Sequence, residues 1–263
     1  MRGMTGERPT AGDGLPWIDD HRLQFGDIIV DVGYDQGYIA SRSRDGYFYM
    51  MKTPQMLRDM APVLAAGRHG NVVELGVYQG GSTAMLSALL EPQRLLAVDL
   101  AGSPPPALER FASGRPIELA FGIDQADTAA LAAAVCASFG TAPLDLVVDD
   151  ASHWLEPTRA AFSCLFPRLR PGGVYVIEDW SWAHADDPLW QKDGGYWKDQ
   201  PALTNLLVEL MMACGTRPQL VARLAVFGGI AVIERGPMEL DPARPLDLTQ
   251  HYLLRGRPFE AAL

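Results

Sequence analysis

Two short acidic stretches, DDASHW at 149–154 and EDW at 178–180, are the residues of this chain best suited to chemistry. Each follows an apolar run, LDLVV in one case and GGVYVI in the other, so each marks the end of a strand that should be buried. Carboxylates at such an end are costly unless they are solvated or partnered. If the two strands are neighbours, about 5 Å apart, Asp149, Asp150, Glu178 and Asp179 converge on one region. Like charges this close raise one another's pKa or recruit a cation, and an all-oxygen donor set favours a hard divalent ion such as Mg or Ca. Asp150, Glu178 and Asp179 form the expected ligand set, with the remaining coordination positions left to water or substrate oxygens. The alternative is that these acids cap helices or pair with Arg159 or Arg170. His153 lies three residues beyond Asp150, so a single turn would carry its imidazole over the same region, where it suits general-base work.

A second constellation precedes it in the chain. In VVELGVYQGGST a buried strand ends at Glu74, Gly76 opens a tight turn, Gly80 and Gly81 allow close backbone approach to a ligand, and Ser82 is placed to cap the following helix. The next strand, RLLAVDL, ends in Asp99, where an acid can accept from a ribose diol. The one after runs into FGIDQAD, which delivers Asp124 and Gln125 to the same edge, suited to an adenine rim. Asp149 is expected on the cofactor side of the acid cluster or in its turn. The spacing ExGxxxGGS departs from the dinucleotide fingerprint GxGxxG, which favours S-adenosylmethionine over a nicotinamide cofactor.

The elements that must position these groups alternate from about Asn71 onward: NVVEL, STAMLSALL, RLLAVDL, PIELAFG, DTAALAAAVCASF, LDLVVDD, EPTRAAFSCLFPRL and GGVYVIEDW. Such alternation predicts a parallel sheet with helices on both faces. QLVARLAVF and GIAVIERG then follow one another too closely for a crossover helix, so they should pair antiparallel. The expected fold class is α/β, the class I S-adenosylmethionine methyltransferase fold: a mixed, seven-stranded, Rossmann-like sheet with an N-terminal extension. The expected organisation is an extension or lid over 1–66, the Rossmann-like domain over 67–236 and a tail over 237–263, with the extension lying over the sheet's open edge.

Composition narrows the partners. With 263 residues, 48% hydrophobic and 21% charged, the chain can bury a large core unaided. A net charge of -10 without clustered Lys or Arg argues against a nucleic-acid partner. No segment is apolar long enough to span a bilayer and the first residues lack an apolar signal core, so a cytoplasmic protein off the membrane is expected. Cys136, Cys164 and Cys214 show no CxxC pairing and are expected as buried reduced thiols.

Taken together, VVELGVYQGGST, FGIDQAD, LVVDDASH and LRPGGVYVIEDW resemble the metal-dependent sugar O-methyltransferases of natural-product pathways, the macrocin and mycinamicin group, itself related to cephalosporin hydroxylase-like and rhamnosyl methyltransferase proteins, including those of calicheamicin-type pathways. The resemblance runs from about Tyr47 to Glu234 and rests on DDxSH and IED occurring jointly. It implies that Asp150, Glu178 and Asp179 hold Mg, that His153 is the base, and that Glu74, Ser82, Asp99, Asp124 and Gln125 line the cofactor. The implied acceptor is a small-molecule glycoside, and a homo-oligomer is expected. The same metal logic would serve a catechol-type vicinal diol. A hydroxylase-like member acting with partner proteins and a non-catalytic binding module are the other readings. Trp180, Trp182, Trp190 and Trp197, in a loop with Gly194 and Gly195 as hinges, are expected to form an acceptor lid or else to pack as a surface loop. His184 in the same loop could assist the base or contact substrate and is not assigned to the site.

Overall fold

The structure is a computed structural model that describes residues 14–34, 42–67, 69–191 and 200–260. Its centre is a seven-stranded sheet. Five strands are parallel: β4 (Asn71–Leu75), β5 (Arg94–Asp99), β6 (Ile117–Phe121), β7 (Leu144–Asp149) and β8 (Leu169–Glu178). The predicted hairpin is β9 (Val221–Val226) with β10 (Ile230–Arg235), and β10 pairs antiparallel with β8. In space the order is β6-β5-β4-β7-β8-β10-β9. The central strands are apolar on both faces, as strands covered by helices on both sides must be; in β4, residues 72–75 are all buried. This is the mixed, helix-flanked sheet of the class I S-adenosylmethionine methyltransferase fold expected from the sequence.

Two apolar clusters cover the two faces. One joins the sheet to α1 (Pro54–Ala65), α2 (Gly81–Leu90) and α3 (Pro106–Ala112). The other joins it to α4 (Thr128–Phe139), α5 (Leu155–Leu165) and α7 (Thr204–Thr216). A single turn, α6 (Pro188–Gln191), lies between them in sequence. Because β4 feeds α2 on one face and β7 feeds α5 on the other, a crevice opens at the carboxyl ends of these two adjacent strands.

Upstream of the large sheet, β1 (Arg22–Phe25), β2 (Ile28–Val32) and β3 (Tyr47–Met50) form a separate three-stranded sheet. The expectation that the extension would lie over the open edge of the main sheet is not met. The small sheet packs on α2, while α1 packs on β10, because Leu23, Val30 and Phe48 complete the apolar cluster on that face. The alternating burial of Ile28, Val30 and Val32 was a legible strand signal that the Gly-rich surroundings obscured.

The tail is ordered against the opposite face. Leu246 and Leu248 are buried there, the Leu246 amide donates to the Ser163 carbonyl, and the Tyr252 hydroxyl reaches Glu209. Burial of all three cysteines is not found: Cys164 is buried, Cys214 partly so, and Cys136 exposed, each a free thiol. Among the described residues no helix is long and apolar enough to cross a membrane.

Candidate functional site

The site begins with the turn after β4. Gly76 takes φ +85°, and a Cβ there would overlap the Asp150 backbone, so only glycine lets the β4 and β7 loops meet. The turn is held from the side: Asp99, at the end of β5, accepts from the amides of Val77 (2.7 Å) and Tyr78 (3.1 Å) with one oxygen and from Ala101 with the other. Asp99, expected as a ribose acceptor, lines the cleft at this edge and holds the turn with both oxygens.

Gly81 and Ser82 act differently from expectation. α2 starts at Gly81 behind a left-handed Gly80, without a side-chain cap. Ser82 and Thr83 instead turn their hydroxyls to Glu74 beneath the turn. The close approach at Gly81 is to protein, since a Cβ would overlap the Tyr49 carbonyl of β3. Glu74 is fully enclosed, and burial pushes its carboxyl up to about 7 against the pull of the two hydroxyls.

At the end of β7 the two aspartates face opposite ways. Asp149 turns into the sheet, where Tyr175 donates to it at 2.8 Å and the Gln125 amide approaches at 3.3 Å; burial raises it to about 7. Gln125 in turn accepts from the Ser152 amide at 2.7 Å. Asp149 is thus enclosed and meets the ligand edge through Gln125 and the Ala151 amide. Beside it, a hollow of about 130 Å³ is lined by Asp99, Leu100, Ile123, Asp124 and Gln125. Gly76, Asp99 and Ala151 also line a larger cleft of about 360 Å³, which Asp150, His153, Asp179 and Trp182 line as well.

Asp150, His153 and Asp179 present ligand atoms that all lie within 4.8 Å of one another. His153 and Asp179 both adopt left-handed backbone, φ 59° and 55°, which non-glycine residues rarely take and which clusters at functional sites. The imidazole is held on three sides. Its Nδ1 is 4.0 Å from Asp150, its ring hydrogen-bonds the Glu178 carbonyl, and the Trp182 ring lies 4.3 Å away. Burial lowers its pKa, more than the attraction of Asp150 raises it, so the ring is a neutral acceptor near neutrality. Trp182 also hydrogen-bonds Asp179, whose carboxyl is raised chiefly by burial and then by Asp150.

Glu178 is separated from this trio. It is 1% exposed, and one oxygen receives the Lys52 ammonium at 2.5 Å. The same ammonium reaches Asp150 at 2.5 Å, which makes Lys52 a buried cation between the ends of β7 and β8. Arg159 and Arg170, the alternative partners for the acids, are engaged elsewhere, with Glu209 and Asp145. The second oxygen of Glu178 is buried without a hydrogen-bond partner. Of the expected ligand set the structure groups Asp150 and Asp179, together with His153, as atoms that one divalent cation could share, while Glu178 stands outside that group.

Lys52 was not singled out in the sequence, although a lone Lys in the apolar and aromatic run GYFYMMKTPQM was a signal, and Trp182 was expected only as part of an acceptor lid, not beside His153. Of the tryptophan loop, Trp180 donates to the Phe227 carbonyl and Trp182 stacks on Trp190, while Gly194, Gly195 and Trp197 lie outside the described residues. His184 contacts Thr204 at 2.5 Å and does not line the cleft.

Residues 73–180 match the family described as a methyltransferase domain. Over 37 residues the chain is 60% identical to demethylmacrocin O-methyltransferase of Streptomyces fradiae, which covers 14% of this chain and 9% of that protein. The mycinamicin VI 2''-O-methyltransferase of Micromonospora griseorubida is 57% identical over 37 residues, again 14% of this chain and 9% of the relative. Among solved structures, the MycE methyltransferase of the mycinamycin biosynthetic pathway, in complex with Mg, SAH and mycinamycin VI, superposes with a TM-score of 0.53 at 25% identity, covering 70% of this chain and 51% of that one. The matches thus span about a tenth of the curated relatives and about half of the solved one. The chain carries a methyltransferase domain on the class I S-adenosylmethionine methyltransferase fold.

Proposed function

We propose that the protein is an S-adenosylmethionine-dependent, divalent-metal-dependent O-methyltransferase acting on a sugar hydroxyl, such as that of a deoxysugar like rhamnose, in a natural-product glycoside. The observation that carries this reading is the meeting of Asp150, His153 and Asp179 in a cleft that the glycine turn and Asp99 also line. The similarity of short stretches to sugar O-methyltransferases, and of the fold to a relative solved with Mg and SAH, supports the cofactor and the acceptor class.

Asp124 and Gln125 rim the smaller hollow, where Leu100 and Ile123 offer apolar contact to a flat base, and Asp99 lies between it and the larger cleft. A nucleoside bridging the two would point its reactive end toward His153. S-adenosylmethionine supplies a methyl group already activated on sulfonium, so positioning accounts for much of the rate. Asp150, Asp179 and the free oxygen of Glu178 would hold a divalent ion, which lowers the pKa of an acceptor hydroxyl. His153 takes the proton of that hydroxyl on its free ring nitrogen. The oxygen–methyl bond forms as the sulfur–methyl bond breaks, leaving S-adenosylhomocysteine. Trp182 sits beside the base as an aromatic surface for a sugar face.

The test is methyl transfer from labelled S-adenosylmethionine to a panel of rhamnosyl and other deoxysugar glycosides and to a catechol, after chelation and then with Mg restored. Transfer to sugars that stops in chelator and returns with Mg is the expected result. Full activity in chelator removes the metal from the proposal, and transfer to catechol alone replaces the acceptor class.

A further inference from the structure

Lys52 belongs to neither acidic strand. It lies in the bend between β3 and α1, 98 residues from Asp150 and 126 from Glu178, and its ammonium is the cation that holds both carboxylates. The side chain is 2% exposed, yet it lines the cleft. Burial alone would favour the neutral amine, but Asp150 and Glu178 outweigh it and keep Lys52 charged.

Asp150 consequently has two faces. Its Oδ2 is bound by Lys52, while its Oδ1 looks toward His153. Glu178 likewise gives Oε2 to Lys52 and leaves Oε1 unpartnered. A divalent ion using both carboxylates must take them from the ammonium or share them with it against mutual repulsion.

We propose that Lys52 is a resident counter-cation of the metal site: it holds Asp150 and Glu178 together before metal arrives and then competes with the metal for them, so that it sets the site's affinity. This inference rests on the metal-dependent reading given above. Lys52 is a positioning residue here, since it acts through the two carboxylates. Its main-chain continuity with β3 also joins metal binding to the small N-terminal sheet, whose Tyr49 carbonyl abuts Gly81 of the cofactor turn.

The test compares Mg binding by titration calorimetry in the full chain and in Lys52→Met, together with melting temperature with and without Mg. The variant is expected to melt lower without metal, to bind Mg at least about tenfold tighter because a repelling charge is gone, and to gain more from Mg in melting temperature. Equal or weaker Mg binding by a folded variant overturns the proposal while leaving the metal reading intact. Absence of Mg binding to both proteins overturns both. Should Lys52→Met not fold, the unmodified protein decides: amine acetylation read by mass spectrometry should find Lys52 protected without metal and reactive with saturating Mg. Protection that persists at saturating Mg overturns competition.

Discussion

His153 pairs two features that are separately unfavourable, a left-handed backbone and a largely desolvated imidazole, and its ring lies beside Asp150 at the end of β7. Such a conformation persists only when surrounding contacts hold it, here the Glu178 carbonyl, Asp150 and Trp182. Removing the ring should therefore affect chemistry far more than cofactor binding, because the glycine turn is held by Asp99 through the amides of Val77, Tyr78 and Ala101 and Gln125 by Ser152. His153→Ala is expected to lower turnover by roughly 10²–10⁴-fold, with the affinity for S-adenosylhomocysteine, measured by calorimetry, essentially unchanged. Turnover equal to the unmodified protein would exclude His153 as the base. At this scale the acids were legible because a charged pair closing an apolar run is locally conspicuous. Their division of labour was not: Asp149 and Asp150 are chain neighbours, and the alternation of a strand sends one to Tyr175 and the other to Lys52.

The β4–turn–α2 unit shows how an element can be read correctly from sequence and still work differently. Its glycines were legible as the end of a strand and the start of a helix, but two of their reasons are tertiary. Gly76 makes room for the loop after β7, and Gly81 makes room for β3. Ser82 turns inward because Glu74 is buried directly below and needs donors. Gly81→Ala should force β3 away from α2, costing about 1–3 kcal/mol as an overpacked contact does. Cofactor affinity should fall with it, since Tyr49 and Gly81 line the same cleft. Denaturant unfolding and calorimetry check both effects; unchanged affinity would show that β3 does not support the turn.

Across the whole molecule, the two apolar clusters recruit chain from far away to finish covering the sheet. The N-terminal sheet completes one and the tail completes the other. Leu248, 4% exposed in the one-turn helix Leu248–Gln250, is expected to contribute like any core leucine. Leu248→Ala should cost about 2–5 kcal/mol in unfolding free energy, read from a chemical melt. A loss near zero would mean that the tail rests on the fold without stabilising it.

What the sequence by itself determined is the part of this protein that repeats or punctuates locally. Strand and helix periods specified the sheet with its closing hairpin, glycines marked the turn, and acids at the ends of β5, β7 and β8 marked the edge where ligands of such sheets bind. The tertiary structure alone decided which charge meets which. Lys52 is drawn into the acid cluster from the bend after the small sheet because the enclosed Glu178 and its neighbour Asp150 must find a cation, and nothing in residue spacing encodes a contact across 126 positions. The same long-range packing that buries Leu23, Val30 and Phe48 on one face brings the ammonium of Lys52 to Asp150 and Glu178.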